Sequence, residues 1–343
     1  MTGVEMQFLA GDIGGTNSRL WLVEADGNNW RTLHERVFES GAYASFEAVL
    51  REFLDGASAR PASACVAIAG PVRERGGAQT VEVTNLPWRL DSRALAAAFA
   101  IPRVRLINDF QATGYGIGRL APQDLVVLQS GAADATGPRA VIGAGTGLGQ
   151  ALLLSVDGRE QVIATEGGHV NFAPSDALQD ELLRQLREQQ EHVSWEYLLS
   201  GTGLVRLYEF LRKQGMAGES AEVARAMCSD EPAAVISRHA LAGSDALCGQ
   251  TLELFVQIYG AQAGNLALTA GATGGVYVAG GIAPRILTRL TDGRFMSAFC
   301  AKGRMRPLLE SIPVRVVINP AVGLIGAAHC AAQLAGIAPE QRP

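Results

Sequence analysis

The sequence predicts an α/β protein built from two similar halves. Short apolar strands alternate with helical stretches along the chain. A segment that reads strand, glycine loop, strand, turn occurs twice, about one half-chain apart. The length, 343 residues, exceeds what one hydrophobic core usually serves.

The first repeat runs QFLA, then GDIGGT at 11–16, then SRLWLVEADG; the second runs RAVI, then GAGTGLG at 143–149, then QALLLSVDG. Aligning Asp26-Gly27 on Asp157-Gly158 superposes every part of the two. Without a Cβ, glycine can take positive φ and bring successive N–H groups together as an anion-binding nest. Gly11, Asp12, Ile13, Gly14, Gly15 and Thr16, and Gly143, Gly145, Thr146 and Gly147, are therefore the candidate phosphate-binding residues. Thr16 and Thr146 each add a hydroxyl donor. Neither loop has the GxxxxGKS/T or GxGxxG spacing, and each is followed by a strand instead of a helix.

After the first hairpin, 46–54 reads as a helix, CVAIAG at 65–70 as a buried strand, and 91–100 as a helix with Asp91 as N-cap. VRLIND is a strand running into Asn108-Asp109, and ligands of open α/β sheets gather beyond the carboxyl ends of strands. Turn formers at 120–138 open the second half. There, 176–190, 201–214 and 247–269 read as helices, and VYVAGG at 276–281 as a strand whose Gly280 and Gly281 allow close backbone approach. The small apolar stretch 323–334 reads as a closing helix.

Composition excludes several classes of function. With 48% hydrophobic and 18% charged residues the chain is globular. Its 29 basic and 34 acidic residues give a net charge of −5 with no run of like charge, which predicts neither nucleic acid nor membrane as partner. The N-terminus lacks a basic n-region, and no stretch is long enough to span a bilayer. The five cysteines are widely spaced with no CxxC pair, which suits reduced thiols in a cytoplasmic protein.

Asp109, at a strand end, is placed to accept the proton of an alcohol, although an isolated Asn-Asp pair also reads as an Asx turn. Glu166 and His169 flank a flexible two-glycine turn, and Glu196 adds a carboxylate. Alone, His169 reads better as a structural histidine and Glu196 as a solvated helix carboxylate. A polyhydroxylated ligand calls for several such donors and acceptors, since every unpaired hydroxyl is costly.

GDIGGTNSRL, INDF, GAGTGLG, EGGHVNFAP, HVSWEYLLSGTGL and VAGGIAPR, in that order, resemble the bacterial glucokinase family of the non-ROK type, within the actin/hexokinase/Hsp70 superfamily. The resemblance spans residues 11–329. It implies a two-lobed actin/hexokinase-like, ribonuclease H-like duplicated fold with an interlobe cleft, divided as 1–119 plus about 319–343 and 120–318. It implies transfer of the γ-phosphoryl group of ATP to O6 of glucose, with Asp109 as catalytic base. Asn108, Asp109, Glu166, His169 and Glu196 would surround the glucose, with Asn85 of TNLPW beside them. Asp12 would hold Mg2+ through water, and Gly280, Gly281 and residues 200–203 would line the nucleotide. A cytoplasmic homodimer is the family expectation. ROK-type kinases bind zinc through their sugar-site histidine and nearby cysteines, but no cysteine lies between Cys65 and Cys228. The alternatives are a hexose kinase of different sugar specificity and a non-catalytic actin-like nucleotide switch, which would not need the polar set.

Overall fold

A computed structural model of the chain describes residues 6–26, 29–55 and 60–337. The chain divides into two compact units, Met1–Ala121 with Asn319–Pro343, and Pro122–Ile318.

The first unit contains β1 (Met6–Ile13), β2 (Asn17–Asp26), β3 (Asn29–Glu39), β4 (Ser63–Ile68), β5 (Arg73–Arg75), β6 (Ala78–Glu82), β7 (Arg89–Asp91) and β8 (Val104–Asn108). Its main sheet has the order β3-β2-β1-β4-β8, and β5-β6-β7 form a small separate sheet. The pairs β1–β4 and β4–β8 are parallel, while β1–β2 and β2–β3 are antiparallel hairpins. SACVAI of β4 is buried at every residue, as expected of a parallel strand covered on both faces. The Phe46–Leu54 helix, capped by Ser45 Oγ, buries Phe46, Val49, Leu50 and Phe53, the i, i+3, i+4, i+7 stripe of an amphipathic helix. That stripe meets Leu20, Leu22, Phe38 and Trp88 in the core of this unit. Full burial of one such phenylalanine is worth on the order of 2 kcal/mol. Asp91 caps the Ser92–Phe99 helix, accepting from Arg93 N and Ala94 N.

The second unit contains β9 (Leu125–Gln129), β10 (Arg139–Ala144), β11 (Leu148–Val156), β12 (Arg159–Thr165), β13 (Gly275–Ala279) and β14 (Val314–Val317). Its sheet order, β12-β11-β10-β13-β14-β9, repeats that of the first unit and adds β9 antiparallel at the edge. The duplication visible in the two glycine segments thus extends to five strands in each unit. The turn after β11 has Asp157 at φ 51° and Gly158 at φ 71°, whereas Gly27, its counterpart, lies outside the described residues. The core is organised on the Ala246–Ala270 helix, from which Leu252, Phe255 and Tyr259 pack among the buried residues of β10 and β13.

One helix is shorter than the 176–190 expected. It spans Ala177–Leu186, and residues 187–192 are exposed. No apolar side chain in that stretch anchors a further turn. Further helices, among them Ala221–Ser229 and Pro232–Ala242, were not anticipated from the sequence. Cys65, Cys248, Cys300 and Cys330 are buried and Cys228 is exposed, all as free thiols. No helix among the described residues is long and apolar enough to cross a membrane.

Candidate active site

In the first unit, the β1–β2 hairpin closes through Gly14 N donating to Asn17 O at 2.9 Å. Gly11 and Ile13 are strand residues whose side-chain positions face the core, so only their main chain can meet a ligand. Gly15 and Thr16 are exposed at the tip. Asp12 is half-buried and pairs in register with Arg19. Burial pushes its carboxyl above the usual carboxylate range, and the charge of Arg19 only partly offsets that.

Register aligns Ile13, Ile68 and Asn108 across the carboxyl ends of β1, β4 and β8. At about 4.8 Å per strand, Asn108 stands roughly 10 Å from the base of the glycine loop. Asn108 caps the Asp109–Ile117 helix, its Oδ1 accepting from Phe110 N at 2.9 Å and Gln111 N at 3.3 Å, while Nδ2 donates to Gly70 O at 3.3 Å. The Asx geometry anticipated for an Asn-Asp pair is therefore present, and it presents Asp109 as the first residue of a helix. Asn85 sits in a turn at φ 65°, a left-handed conformation that asparagine tolerates well. Its Cβ lies 3.4 Å from where a Gly15 side chain would begin, so it adjoins the loop tip.

In the second unit, Gly145 N donates to Gly147 O at 2.8 Å, closing the β10–β11 hairpin around Thr146. Gly143 is buried within β10 opposite Gly149. Two other segments converge on this loop. Gly201 N, at the start of the Gly201–Lys213 helix, donates to Gly145 O at 3.0 Å, and Ile282 N donates to Ala144 O at 3.1 Å. Gly280, at φ 81°, leaves no room for a side chain, because a Cβ would lie 2.4 Å from Ala144 O. Gly281 is exposed, its N 3.9 Å from the Cβ position of Gly145. The loops at 145–147, 200–203 and 280–281 thus form one surface of main-chain groups and small residues in this unit.

Glu166, His169 and Glu196 also come together. His169 Nε2 lies 3.8 Å from Glu166 Oε2, and His169 Nδ1 lies 3.8 Å from Glu196 Oε1. Both separations exceed a hydrogen bond. Side-chain exposures of 59% for His169, 72% for Glu166 and 33% for Glu196 leave the set open to a ligand. An isolated antiparallel bridge between Asn171 and Ser194, with Trp195 N donating to Val170 O at 3.1 Å, brings His169 and Glu196 together across the intervening chain. The two-glycine turn is a short 3-10 turn, Gly167–His169, lying so tightly on β11 that a Cβ on Gly168 would meet Leu148 O at 2.1 Å. Glu196 reaches the glycine loop as well, because its Oε2 accepts from Leu148 N at 2.9 Å.

Sequence reasoning missed three supporting residues. Ser40 binds the first loop through two hydrogen bonds, Tyr259 Oη accepts from Ala144 N at 3.1 Å beneath the second, and Gly323 opens the space beside Asp12 Oδ2. Ser40, between Glu39 and Gly41, and Tyr259, before Gly260, stand in stretches that read as ordinary turn and core. No cluster of three or more metal-ligating side chains occurs among the described residues.

Comparison with known proteins agrees over nearly the whole chain. The sequence profile of the family described as Glucokinase matches residues 9–334. A glucokinase of Trichormus variabilis is 46% identical over 342 residues, spanning 95% of this chain and 99% of its own. The crystal structure of a glucokinase from an Antarctic psychrotroph has a TM-score of 0.82 at 34% identity, covering 95% of this chain and 99% of that one. A ROK family glucokinase from Streptomyces griseus, solved with glucose and AMPPNP, shares the fold, with a TM-score of 0.65 at 21% identity over 95% of this chain and 99% of the other. The fold is thus the actin/hexokinase-like fold of these sugar kinases. Matched end to end in sequence and in fold, the chain belongs to the glucokinase family, enzymes that use ATP to phosphorylate glucose.

Proposed function

We propose that Asp109 is the base that accepts the proton of the glucose 6-hydroxyl, and that Asn108, Glu166, His169, Glu196 and Asn85 bind the remaining hydroxyls. The observation that carries this reading is the meeting of His169 with two carboxylates beside a glycine loop. A donor-acceptor set of this kind pairs ring hydroxyls and penalises a sugar that leaves one of its members unpaired.

The nucleotide phosphates lie along the main chain of Gly11, Asp12, Ile13, Gly14, Gly15 and Thr16 and of Gly143, Gly145, Thr146 and Gly147. Gly280 and Gly281 lie toward the adenosine. Asp12 fits Mg2+, because a carboxylate destabilised by burial and only partly compensated by one arginine gains from a hard cation. Bound there through water, the ion would neutralise charge on the phosphate oxygens.

Phosphoryl transfer has a loose transition state, so the work of Asp109 is chiefly to orient O6 in line with the γ-phosphorus. The bond from the bridging oxygen to the γ-phosphorus breaks, the bond from O6 forms, and the O6 proton passes to Asp109. Glucose 6-phosphate and ADP leave. A cytoplasmic homodimer belongs to the same reading, supported by family resemblance and free thiols.

The test is a coupled assay of glucose 6-phosphate formation with Mg-ATP, running mannose, fructose and N-acetylglucosamine in parallel. Asp109→Asn should keep glucose affinity and lower kcat by about a hundredfold or more. Near-normal turnover would remove Asp109 from the role, and equal rates on every sugar would remove glucose selectivity from the polar set.

A further inference from the structure

Ser40 follows β3 and is completely buried, as is Ser18 of β2. A buried hydroxyl must find partners. Ser40 Oγ donates to Gly14 O at 2.9 Å and lies 2.9 Å from Ser18 Oγ, while Ser40 N donates to Thr16 O at 2.9 Å. One residue therefore grips the carbonyl at each end of the first glycine loop.

This grip has a directional consequence. The peptide joining Gly14 and Gly15 is planar and trans, so its C=O and N–H point in opposite directions. Drawing Gly14 O inward to the buried Ser40 hydroxyl turns Gly15 N–H outward, at an exposed residue. Gly14 N–H is already engaged by Asn17 O at 2.9 Å. Gly15 N–H is thus the loop donor whose direction depends on Ser40. A glycine loop without such an anchor could rotate this peptide, because glycine has low barriers on both sides of it.

We propose that Ser40 is a positioning residue for phosphoryl transfer, holding the Gly14-Gly15 peptide so that Gly15 N–H faces the nucleotide phosphates. The inference rests on the reading that the first loop holds those phosphates. Ser40 itself touches no substrate and acts through the loop.

Steady-state kinetics on the full-length enzyme, varying ATP and glucose separately, tests it with three variants. Ser40→Ala should raise KM for ATP about fivefold, the value of one hydrogen bond, and leave KM for glucose within twofold. Ser18→Ala removes a partner of Ser40 but leaves the bond to Gly14 O, and should leave KM for ATP unchanged. Thr16→Val removes the hydroxyl of the loop itself and should raise KM for ATP.

If Thr16→Val raises KM for ATP and Ser40→Ala does not, the phosphate reading stands and the role of Ser40 falls. If neither raises it, the phosphate reading of the loop falls, and with it the proposal. Equal increases in Ser18→Ala and Ser40→Ala would mark a purely structural effect and overturn the proposal. Should Ser40→Ala fail to fold, Ser40→Cys, which keeps most of the volume but donates poorly, carries the same expectations.

Discussion

The two glycine hairpins occupy equivalent places in sheets of the same strand order, yet they are held and charged differently. In the first, the carbonyl of the leading loop glycine, Gly14, accepts from a side-chain hydroxyl, that of Ser40. In the second, the carbonyl of Gly145 accepts from the main-chain N–H of Gly201 at a helix start. The penultimate residue of β1 is Asp12, and that of β10 is Gly143. Both copies keep a glycine-lined hairpin, but only the first has an acidic residue in its own strand end; at the second the carboxylate comes from elsewhere in the chain, Glu196 Oε2 accepting from Leu148 N at 2.9 Å. The second copy has also gathered two further small-residue loops, at 200–203 and 280–281. On the proposed reading, the difference assigns the metal side of the phosphates to the first copy and leaves the second to hold phosphate by main-chain groups, with the adenosine toward Gly280 and Gly281.

Asp12→Asn tests the first copy and carries the largest expected effect. Removing the carboxylate should lower turnover by about a thousandfold, because compensation of phosphate charge is worth several kcal/mol. Ligand-free stability should move the other way. Burial raises the folded-state pKa of Asp12, so the folded protein holds that proton more tightly than the unfolded chain does. The associated stability is present below the unfolded pKa and lost as pH rises through the folded one. At neutral pH the variant should therefore melt above the parent, with the gap closing as pH falls through the range where Asp12 is protonated. A lower melting temperature at pH 7, or turnover within tenfold, would contradict the assignment.

The β1, β4, β8, β10 and β13 strands were legible in the sequence, because buried parallel strands read as apolar runs ending in glycine or asparagine. Polar edge strands were not. NWRTLHERVFE of β3 is mostly exposed and carries no apolar run, and β5 and β7 are only three residues each. The glycine loops announced themselves by composition. The convergence of Glu166 and His169 with Glu196 did not, because the Asn171–Ser194 bridge that joins them has no signature in the amino-acid pattern. Only the family resemblance named them together. Ser40 and Tyr259 were invisible for a related reason, since their importance lies in which carbonyl or N–H they meet.

Gly280 and Gly70 sharpen the comparison at the next strand of each sheet. Each follows the strand parallel to its glycine hairpin, Gly280 at φ 81° and Gly70 at φ 142°. A Cβ on Gly280 would face Ala144 O at 2.4 Å, Ala144 N at 2.9 Å and Gly143 C at 2.9 Å, all rigid backbone of β10. On Gly70 the nearest atom is Glu82 O at 2.9 Å, followed by side-chain atoms that can move. Gly280→Ala should therefore cost about 3 kcal/mol, combining the left-handed conformation with the steric term, and Gly70→Ala less. Urea unfolding measures both. The reverse order would mean that the 280–281 turn has more freedom to shift than its contacts with β10 suggest.

Tyr259→Phe gives the smallest expected effect and divides stability from function. The phenol is fully buried, and its oxygen receives Ala144 N–H at 3.1 Å with Ile142 O at 3.4 Å within reach of its own proton. Burial raises its pKa, so the hydroxyl stays protonated and able to donate throughout the working range. Phenylalanine keeps the ring and its edge-on contact with Phe295, whose centroid lies 5.6 Å away. What remains is a buried N–H without its partner, a loss of about 2 kcal/mol. The second loop, however, stays tied to Gly201 N and to Ile282 N on its flank, neither of which involves Tyr259. Tyr259→Phe should lower the unfolding midpoint while KM for ATP stays within about threefold, since the lost bond lies beneath the loop and not in it. Ser40→Ala should do the opposite, changing KM for ATP more than stability. A large change in KM for ATP in Tyr259→Phe would show that the second loop, like the first, depends on a single hydroxyl, and the contrast between the two copies would then lie only in where each takes its carboxylate.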